Sequence, residues 1–534
     1  MTATQFLCYL ATAVVTLCLV KFVRHRRFYG QLPGPPRSFL WGHLKLYGDT
    51  LALFPPLSHF QVVITTLAHK YNLPGLFYVD LWPFGPIQLV ITDPELASHY
   101  ITAGNLPKHP LQAAYLDPIL GEGSIIVTNG PRWKRLHNTL APAFSTAHVL
   151  SMTSLIANDV KTFYEVLLTQ ADAGKPFRLE DKISALSFDI IFKAIFGYSA
   201  NAQTEQGCPD LQHLDIIVHS EMMSRETWNP LKKRQLVQTR KATAKMLNES
   251  IEGKIRARFS SLQRSNVDLS GKRGLGILDL ILRERIQQAK ETSKSAELDA
   301  DFMEMAIANI KSLMLAGSGT TAHTLCFAYM LLSANPDVIE KIRQEHRDVY
   351  SSDVNETLSL LHDDPIRLNK LDYTTSVIKE TLRIYPIGNT GRAPDPPGFI
   401  TYKGKQYPAL KHMIVCPVQH TWQMNPNVFP NPDSFEPERF SNMDKATQLA
   451  WRPFERGTRQ CLGQSLAMEE MKMTLLLTVQ YFNFHCDSLK PNAAPRVPWT
   501  KMDLIFGDRA FPEFYTDAKP RDGMSMTVTK AKLG

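Results

Sequence analysis

Near its C-terminus the chain reads Phe454-Glu455-Arg456-Gly457-Thr458-Arg459-Gln460-Cys461-Leu462-Gly463. A single cysteine follows a glycine and an arginine, and a helical pattern begins directly after it. Backbone N–H groups at a helix start favour a thiolate over a thiol, and Arg459 can neutralise an anion beside it. Gly457 and Gly463 allow the backbone to turn tightly around the sulfur. Cys461 therefore has the surroundings of a soft metal ligand, including a ligand of haem iron; the alternative is a buried free cysteine beside a surface arginine.

This stretch resembles the haem-binding signature of the cytochrome P-450 monooxygenases, Phe-x-x-Gly-x-Arg-x-Cys-x-Gly, with every fixed position filled. The resemblance implies that Cys461 is the axial ligand of haem iron and that the cofactor is haem b, an iron protoporphyrin IX bound through a thiolate. It also implies that Arg459 binds a haem propionate and that Phe454 packs over the sulfur. Such a signature predicts further family motifs at a distance.

A long apolar pattern from about Asp301 to Asn335 predicts a helix that crosses the core. Asp299 or Asp301 is expected to cap its start, and Asn335-Pro336 to end it. A second transmembrane span is the alternative. Three ionisable residues interrupt the pattern, which argues against a span: Glu304, Lys311 and His323.

In the middle of this helix lies Ala316-Gly317-Ser318-Gly319-Thr320-Thr321. The segment resembles the family's oxygen-activation motif, Ala/Gly-Gly-x-Asp/Glu-Thr-Thr. The resemblance implies that the Thr320 hydroxyl helps deliver protons to dioxygen. Gly319 departs from the motif, because the family has an acid there, so protons must arrive through water or another group. His323 is a candidate, and a packed histidine with no such role is the alternative.

Two segments supply a charge cluster. Glu380 and Arg383 lie three residues apart, on one face of a predicted helix, and Arg439 lies in a segment that resembles the family's Pro-Glu-Arg-Phe. Alone, such a pair is usually an exposed ion pair that contributes little to stability. The resemblance implies that the three charges form a buried triad near the cysteine loop, with a structural role.

Further cations are expected at the haem carboxylates. Arg392, nine residues after Arg383, matches a family arginine that binds a propionate. Trp133 and His137 stand where the family has Trp-x-x-x-Arg. His137 can donate a hydrogen bond, but it carries a full charge only if its pKa is raised. Alone, each cation could equally be a surface residue.

The N-terminus is apolar from Phe6 to Val20 and is followed by a basic cluster, Arg24 to Arg27, and by Leu32-Pro-Gly-Pro-Pro36. About 20 apolar residues span a bilayer. A cleaved signal peptide is the alternative, but no basic residue precedes the apolar run and no clear cleavage site follows it. We expect an anchor over 1–23, a basic and proline-rich hinge over 24–40 and a catalytic domain over 41–534. Positive charge after the span predicts a lumenal N-terminus and a cytosolic catalytic domain at the endoplasmic reticulum membrane.

The rest of the chain predicts many helices, among them 151–170, 238–262 and 276–293, with a loop near 263–275. Strands are expected at 76–82 and 87–91 as a hairpin, and around 400–402, 412–415 and 524–529. The fold class is therefore mainly α with small peripheral β-sheets. The resemblance specifies the cytochrome P-450 fold, of the eukaryotic microsomal type with a fungal character, preceded by an N-terminal transmembrane helix.

Composition excludes other classes of protein. Of the net charge of +8, four charges come from the N-terminal cluster of Lys21 with the three following arginines, so no basic stripe suggests nucleic acid. The seven cysteines are scattered and form no CxxC, which indicates a reducing compartment without a disulfide framework.

The implied reaction is insertion of one oxygen atom of O2 into a small apolar organic substrate. No Gly-x-Gly-x-x-Gly appears in a βαβ context, so electrons are expected from a separate NADPH–cytochrome P-450 reductase, with cytochrome b5 as a possible second donor. The reductase is expected to dock near Arg456 and Arg459. Three alternatives stay open: an isomerase or dehydratase that acts without O2 and reductase, a non-catalytic haem-binding protein, and a structural membrane protein without haem.

The substrate is not readable from these motifs. Variable loops near 108–125, 215–235 and 522–526 are expected to determine it. A secondary metabolite, such as a terpenoid, polyketide or alkaloid, is the leading hypothesis.

Overall fold

The computed structural model describes residues 2–264, 276–291 and 297–532. The loop predicted near 263–275 therefore lies outside the described residues, apart from its first two positions, which end a helix.

Most of the described residues are helical, as predicted. The α-helices are α1 (Ala3–Tyr29), α2 (Leu44–Leu51), α3 (Phe60–Lys70), α4 (Pro94–Ala97), α5 (Pro110–Leu120), α6 (Gly130–Leu140), α7 (Thr146–Ser151), α8 (Thr153–Ala173), α9 (Leu179–Phe196), α10 (Pro209–Glu226), α11 (Pro230–Arg264), α12 (Ile277–Glu291), α13 (Ala300–Ser333), α14 (Pro336–Val349), α15 (Val354–Asp363), α16 (Asp372–Ile384), α17 (Gln419–Gln423), α18 (Lys445–Ala450), α19 (Gln464–Val479) and α20 (Asp503–Phe506).

The strands form small sheets. They are β1 (Leu76–Asp80), β2 (Ile87–Ile91), β3 (Phe177–Arg178), β4 (Gly398–Tyr402), β5 (Lys405–Ala409), β6 (Met413–Pro417), β7 (Phe482–Cys486), β8 (Glu513–Phe514), β9 (Ala518–Lys519) and β10 (Ser525–Lys530). One sheet has the order β1-β2-β6, with β2 and β6 parallel, and another the order β3-β10-β7. The hairpins β4-β5 and β8-β9 complete the set in the described residues. The predicted hairpin of β1 and β2 is confirmed, while the strand expected at 524–529 is the centre of a sheet.

Helix α13 crosses the core, as its apolar pattern predicts. The Asp299 side chain accepts a hydrogen bond from the Phe302 backbone N–H, which decides between the two expected caps. The helix ends at Ser333, two residues before Asn335-Pro336. Its side chains are buried along most of its length, and α1 alone among the described helices is long and apolar enough to cross a membrane. The alternative of a second span is therefore excluded for α13.

Helix α1 is longer than the expected anchor and continues through the basic cluster to Tyr29. The first part of the expected hinge over 24–40 is thus helical, and only the segment after Gly30 is irregular. The reason is a tertiary contact. Arg26 is 1% exposed and forms an ion pair with Asp80 at the end of β1, and its guanidinium also donates to the carbonyls of Leu40 and Trp82 at 3.1 and 3.0 Å.

Candidate active site

A cavity of about 370 Å³ lies where α13 meets the loop before α19. Helix α13 contributes Thr320 and Gly317 to its wall, and the loop contributes Phe454, Arg459 and Cys461. Most of the remaining wall is apolar: Ile125, Ile126, Phe144, Ile191, Leu313, Leu382, Ile387, Leu462, Leu466 and Met471. The structure therefore brings the two predicted motifs, 140 residues apart in the sequence, to one cavity.

The cysteine loop presents a sulfur at the start of α19. The Cys461 N–H donates to the Phe454 carbonyl at 2.9 Å, which fixes the loop. Burial raises the pKa of the Cys461 thiol, while the backbone N–H groups of Gly463 and Gln464 oppose that rise. These donors are the unpaired first amides of α19, as the sequence predicts. Metal ligation deprotonates such a thiol outright, so the site suits a soft metal that supplies its own positive charge.

Gly457 is required by the geometry of this loop. Its φ is +75°, and a Cβ atom there would lie 2.8 Å from Cγ2 of Thr102 and 3.2 Å from the Thr102 carbonyl oxygen. Gly463 is different, because its Cβ would meet only the Cys461 sulfur, at 3.9 Å. The tight turn expected from the signature thus depends on the first glycine.

Cations gather on one side of the cavity. The Arg459 guanidinium carbon lies 4.4 Å above the Trp133 ring, and one of its N–H groups donates to the Thr128 carbonyl at 2.7 Å. His137 also lines the cavity, with its ring 4.9 Å from that of Trp133. Arg392 is fully buried next to these residues but is not among those that line the cavity. It donates to the Leu106 carbonyl at 3.1 Å.

Lys108 is a cation that sequence analysis missed, because no motif surrounds it. It lines the same cavity, and its ammonium group donates to Thr390 Oγ1 at 2.7 Å. Burial, Arg392 and Arg459 together lower the pKa of Lys108 to about 7, although Glu455 opposes them. Burial and Arg392 likewise lower the pKa of Arg459 to about 10.

These residues fit a haem group. Lys108 and Arg459 line one wall of the cavity with Arg392 behind them. Burial, and after it the repulsion among these cations, lowers the pKa values of Lys108 and Arg459, and two added carboxylates would relieve that repulsion. The buried Arg392 Nε has no hydrogen-bond partner among the described residues, so the cluster still has a donor to offer. A sulfur ligand, a cationic wall and apolar surroundings match the iron, the propionates and the ring of a haem.

On α13, the two motif glycines differ in what surrounds them. A Cβ on Gly317 would lie 2.5 Å from Cγ1 of Ile191, so this glycine lets α9 pack closely against α13. A Cβ on Gly319 would meet no atom closer than 3.8 Å. The Thr320 hydroxyl donates to the Ala316 carbonyl at 2.8 Å and faces the cavity.

The predicted charge triad is assembled and buried. Arg383 binds Glu380 through two N–H groups at 2.7 and 2.8 Å, and Arg439 Nε donates to Glu380 at 3.0 Å. Glu380 and Arg383 are fully buried, and the Arg439 side chain is 10% exposed. Arg383 also donates to the carbonyls of Gln423 and Pro432, at 2.9 and 2.8 Å. The triad therefore ties α16 to the segment that leads to the cysteine loop.

The loops expected to determine specificity are only partly at the cavity. Lys108 and Ile125, near the two ends of the first loop, line it, while α5 occupies most of the residues between them. No residue of 215–235 or 522–526 is among its lining residues in the described chain. The turn at Asp522-Gly523 instead leads into β10, and a Cβ on Gly523 would meet the Arg178 guanidinium at 2.4 Å.

Comparison with known proteins agrees with this site. The family model described as Cytochrome P450 matches residues 32–499. Cytochrome P450 monooxygenase polC of Polytolypa hystricis is 29% identical over 95% of this chain and 92% of the relative. Cytochrome P450 monooxygenase acrF of Aspergillus aculeatus is 30% identical over 88% of this chain and 97% of the relative. The crystal structure of the cytochrome P450DA heme domain has a TM-score of 0.70 at 21% identity, covering 94% of this chain and 98% of that one, and shares the fold.

The cavity, its sulfur ligand and its cationic wall define a haem-thiolate protein. The chain belongs to the cytochrome P450 family. Its cofactor is haem, and it is a haem-thiolate monooxygenase, and the fungal relatives polC and acrF are named cytochrome P450 monooxygenases.

Proposed function

We propose that this protein inserts one oxygen atom of O2 into a small, largely apolar organic substrate, with electrons from a separate NADPH–cytochrome P-450 reductase. The observation that carries the proposal is that Cys461 and Thr320 line one cavity whose remaining wall is mostly apolar. Haem, bound through the Cys461 thiolate, supplies the activation of O2 and the cleavage of the O–O bond. The reaction consumes O2, two electrons, two protons and the substrate, and it yields the hydroxylated product and water.

The chain's own residues hold and orient the cofactor. Cys461 would hold the haem iron through its sulfur, and Phe454, whose carbonyl accepts the Cys461 N–H at 2.9 Å, would pack beside it. Arg459, Lys108 and His137 would bind the propionates. Arg392, behind them, adds positive charge that the propionates neutralise.

Two further residue sets complete these roles. Trp133 positions Arg459 through a cation–π contact. The charge triad is structural: Glu380, Arg383 and Arg439. Their charged groups form ion pairs with one another and hydrogen bonds to backbone carbonyls.

The substrate class follows from the cavity wall and from the relatives. Apolar side chains dominate the wall, so an apolar molecule gains the most from burial there. The fungal relatives polC and acrF are named as monooxygenases. A secondary metabolite remains our hypothesis for the substrate.

The reductase would dock on α6 and not at the two arginines first expected. Arg459 faces the cavity, and Arg456 donates to the carbonyls of Gln448 and Trp451. Helix α6 exposes three cations on the outside of the same wall: Arg132, Lys134 and Arg135. Turnover should therefore fall as ionic strength rises. At 0.1 M salt, attractions between exposed charges that lie more than about 10 Å apart are largely screened. Turnover that is unchanged between low and high salt would contradict docking on this patch.

The N-terminal helix supports membrane attachment. Its apolar part lies outside the folded body, and its basic residues follow the span. We propose residues 1–23 as the anchor and 41–534 as the catalytic domain, with the N-terminus in the lumen of the endoplasmic reticulum and the domain in the cytosol. The intervening residues 24–40 combine the end of α1 with the proline-rich segment.

The test is reconstitution of the full chain with reductase in lipid vesicles, under ¹⁸O2, with extracts of the producing organism as a source of substrate. One ¹⁸O atom in a product, dependent on NADPH, is expected. Product formation without NADPH and O2 would favour the isomerase or dehydratase. Haem binding without any turnover would favour the non-catalytic haem-binding protein. Thr320→Ala should divert electrons to hydrogen peroxide, and coupling as in the unaltered protein would contradict the role of Thr320.

A further inference from the structure

The face of α13 next to Thr320 carries a charge cluster beside Gly319, the position at which the motif lacks its acid. A Cβ at this position would lie 3.8 Å from Cε1 of His323 and 4.0 Å from Oδ2 of Asp517. A carboxylate from a different part of the chain therefore borders the space that a side chain at 319 would enter. His323 comes from the next turn of α13, and Asp517 from the turn between β8 and β9.

The cluster is a linear chain of three groups. His323 Nδ1 is 3.0 Å from Asp517 Oδ2, and His323 Nε2 is 3.6 Å from Oε1 of Glu180 at the start of α9. All three side chains are buried, with 9% exposure at most. Each imidazole nitrogen thus faces one carboxylate, which is the arrangement that lets a histidine accept a proton on one side and release one on the other.

Each end of this chain of three groups has a carboxylate oxygen that accepts no hydrogen bond in the described structure. Asp517 Oδ1 and Glu180 Oε2 are buried oxygens without a hydrogen-bond partner among the described residues. Buried carboxylate oxygens are normally satisfied, and exceptions in native structures call for an explanation. A purely structural ion cluster would gain from bonding these oxygens, whereas a relay needs a free acceptor at each end.

The surrounding charges keep the histidine protonated. Burial alone would lower the pKa of His323, but Asp517 and Glu180 outweigh it and raise the pKa to about 9. Lys519 of β9 binds Glu180 Oε1 at 3.0 Å. Asp215 of α10 lies at the exposed side of the cluster, and His59, near Asp517, is neutral because burial lowers its pKa to about 3.

We propose that Glu180, His323 and Asp517 form the proton relay of this enzyme and replace the acid missing at position 319. Asp517, whose Oδ2 lies 4.0 Å from the Cβ position of residue 319, passes a proton through water towards Thr320 and regains one from His323 Nδ1. His323 Nε2 then takes a proton from Glu180, and Glu180 regains one from the Lys519 ammonium, which binds its Oε1 at 3.0 Å, is 22% exposed and is reprotonated by solvent. Two such passages supply the two protons that each turnover consumes, while NADPH supplies the two electrons through the reductase.

This inference rests on the proposed oxygenase function, and its test separates the two. Asp517→Asn keeps the shape of the side chain but removes the carboxylate. Positioned acid–base groups contribute about 10²–10⁴-fold to proton transfer, so we expect product formation to fall at least about 10-fold, with a larger solvent isotope effect and most NADPH electrons recovered as hydrogen peroxide. The control is Asp210→Asn, which removes a buried carboxylate bound to Lys254 at 2.9 Å on α10. It should leave the ratio of peroxide to NADPH unchanged.

The decisive variant restores the acid in its usual place. Gly319→Asp has room for its Cβ and would put a carboxylate next to His323. Added to Asp517→Asn, it should recover coupling of NADPH to product. Lack of recovery in a double variant that folds and binds haem would overturn the relay.

A second readout needs no turnover. A histidine whose pKa is raised on folding contributes stability that is complete below its unfolded pKa of about 6.5 and is lost as pH rises through the folded value. The thermal midpoint of the unaltered protein should therefore fall between pH 6.5 and 9 relative to that of His323→Gln. Parallel pH profiles would refute the protonated cluster.

The outcomes are distinct. If the unaltered protein consumes no NADPH with reductase and O2, the proposed function fails and the relay fails with it. If it turns over and Asp517→Asn keeps full coupling, the relay alone is refuted.

Discussion

The buried triad gives a sharp prediction for stability. Glu380→Gln removes the only carboxylate that contacts Arg383 in the described structure and leaves that guanidinium fully buried. Breaking a buried ion pair by removing one partner costs about 3–5 kcal/mol. The loss should be near the upper end, because Glu380 also accepts from Arg439 and from the Glu436 backbone N–H, each at 3.0 Å. Since a domain is stable by only about 5–15 kcal/mol, this variant should retain little haem at 37 °C.

The assay is urea unfolding of the full chain in detergent, followed by tryptophan fluorescence and by haem absorbance. The matched control is Glu438→Gln, two residues from Glu436. Glu438 pairs with Lys341, but both side chains are about half exposed, at 51% and 55%. An exposed pair of this kind contributes about 0.2–1 kcal/mol. Equal unfolding midpoints for Glu380→Gln and Glu438→Gln would refute the argument.

Three other predictions concern packing and pH. Gly457→Ala should abolish haem retention, because its φ is +75° and its Cβ would clash with Thr102, whereas Gly463→Ala should retain haem. Gly317→Ala should lower the free energy of unfolding by about 1–3 kcal/mol through overpacking against Ile191. Adding Ile191→Ala to the same chain should restore part of that free energy. An unchanged free energy of unfolding in Gly317→Ala alone would contradict the contact. Burial lowers the pKa of three histidines to about 3: His59, His346 and His420. The stability that these neutral histidines contribute is complete above about pH 6.5 and is lost as pH falls, by about 1.4 kcal/mol per histidine and pH unit. In a plot of the free energy of unfolding against pH, His346→Gln should therefore make the decrease on the acid side less steep.

The sequence alone predicted the parts of the site whose roles leave a local pattern. The cysteine loop and the Thr320 segment are short local patterns, and α13 follows from its apolar length, whereas the burial of Glu380 and Arg383 was implied only by the resemblance. Arg439 needed the resemblance, because nothing local indicates that a surface-type arginine is buried.

Other features depend on tertiary contacts and could not be predicted. Lys108 has no motif, and its role arises only because the chain folds it beside Arg392. Asp517 approaches Gly319 from a hairpin nearly 200 residues away, so no spacing links them. The close approach of Ile191 of α9 to the backbone of Gly317 likewise depends on tertiary packing.

The expected hinge illustrates the same limit. Composition indicated a non-helical hinge after the anchor, because basic residues and prolines cluster there. Buried contacts of Arg26 with Asp80 and with the Trp82 carbonyl instead help to hold the last turns of α1 against the folded body. Local composition describes what a segment can do alone, and a partner 54 positions away decides what it does.

Under the membrane anchoring and reductase docking proposed above, this contact changes how the enzyme would meet its electron donor. A stem that is fixed to the domain cannot swivel as a loose tether does, so the tilt of the catalytic body relative to the lipid plane is set by α1. Association between proteins is slowed mainly by the need to present the correct patches to each other. With its tilt fixed, this body needs only to rotate about the membrane normal for the cations of α6 to sweep past a donor in the same bilayer, and the search for a productive encounter loses two of its three rotations.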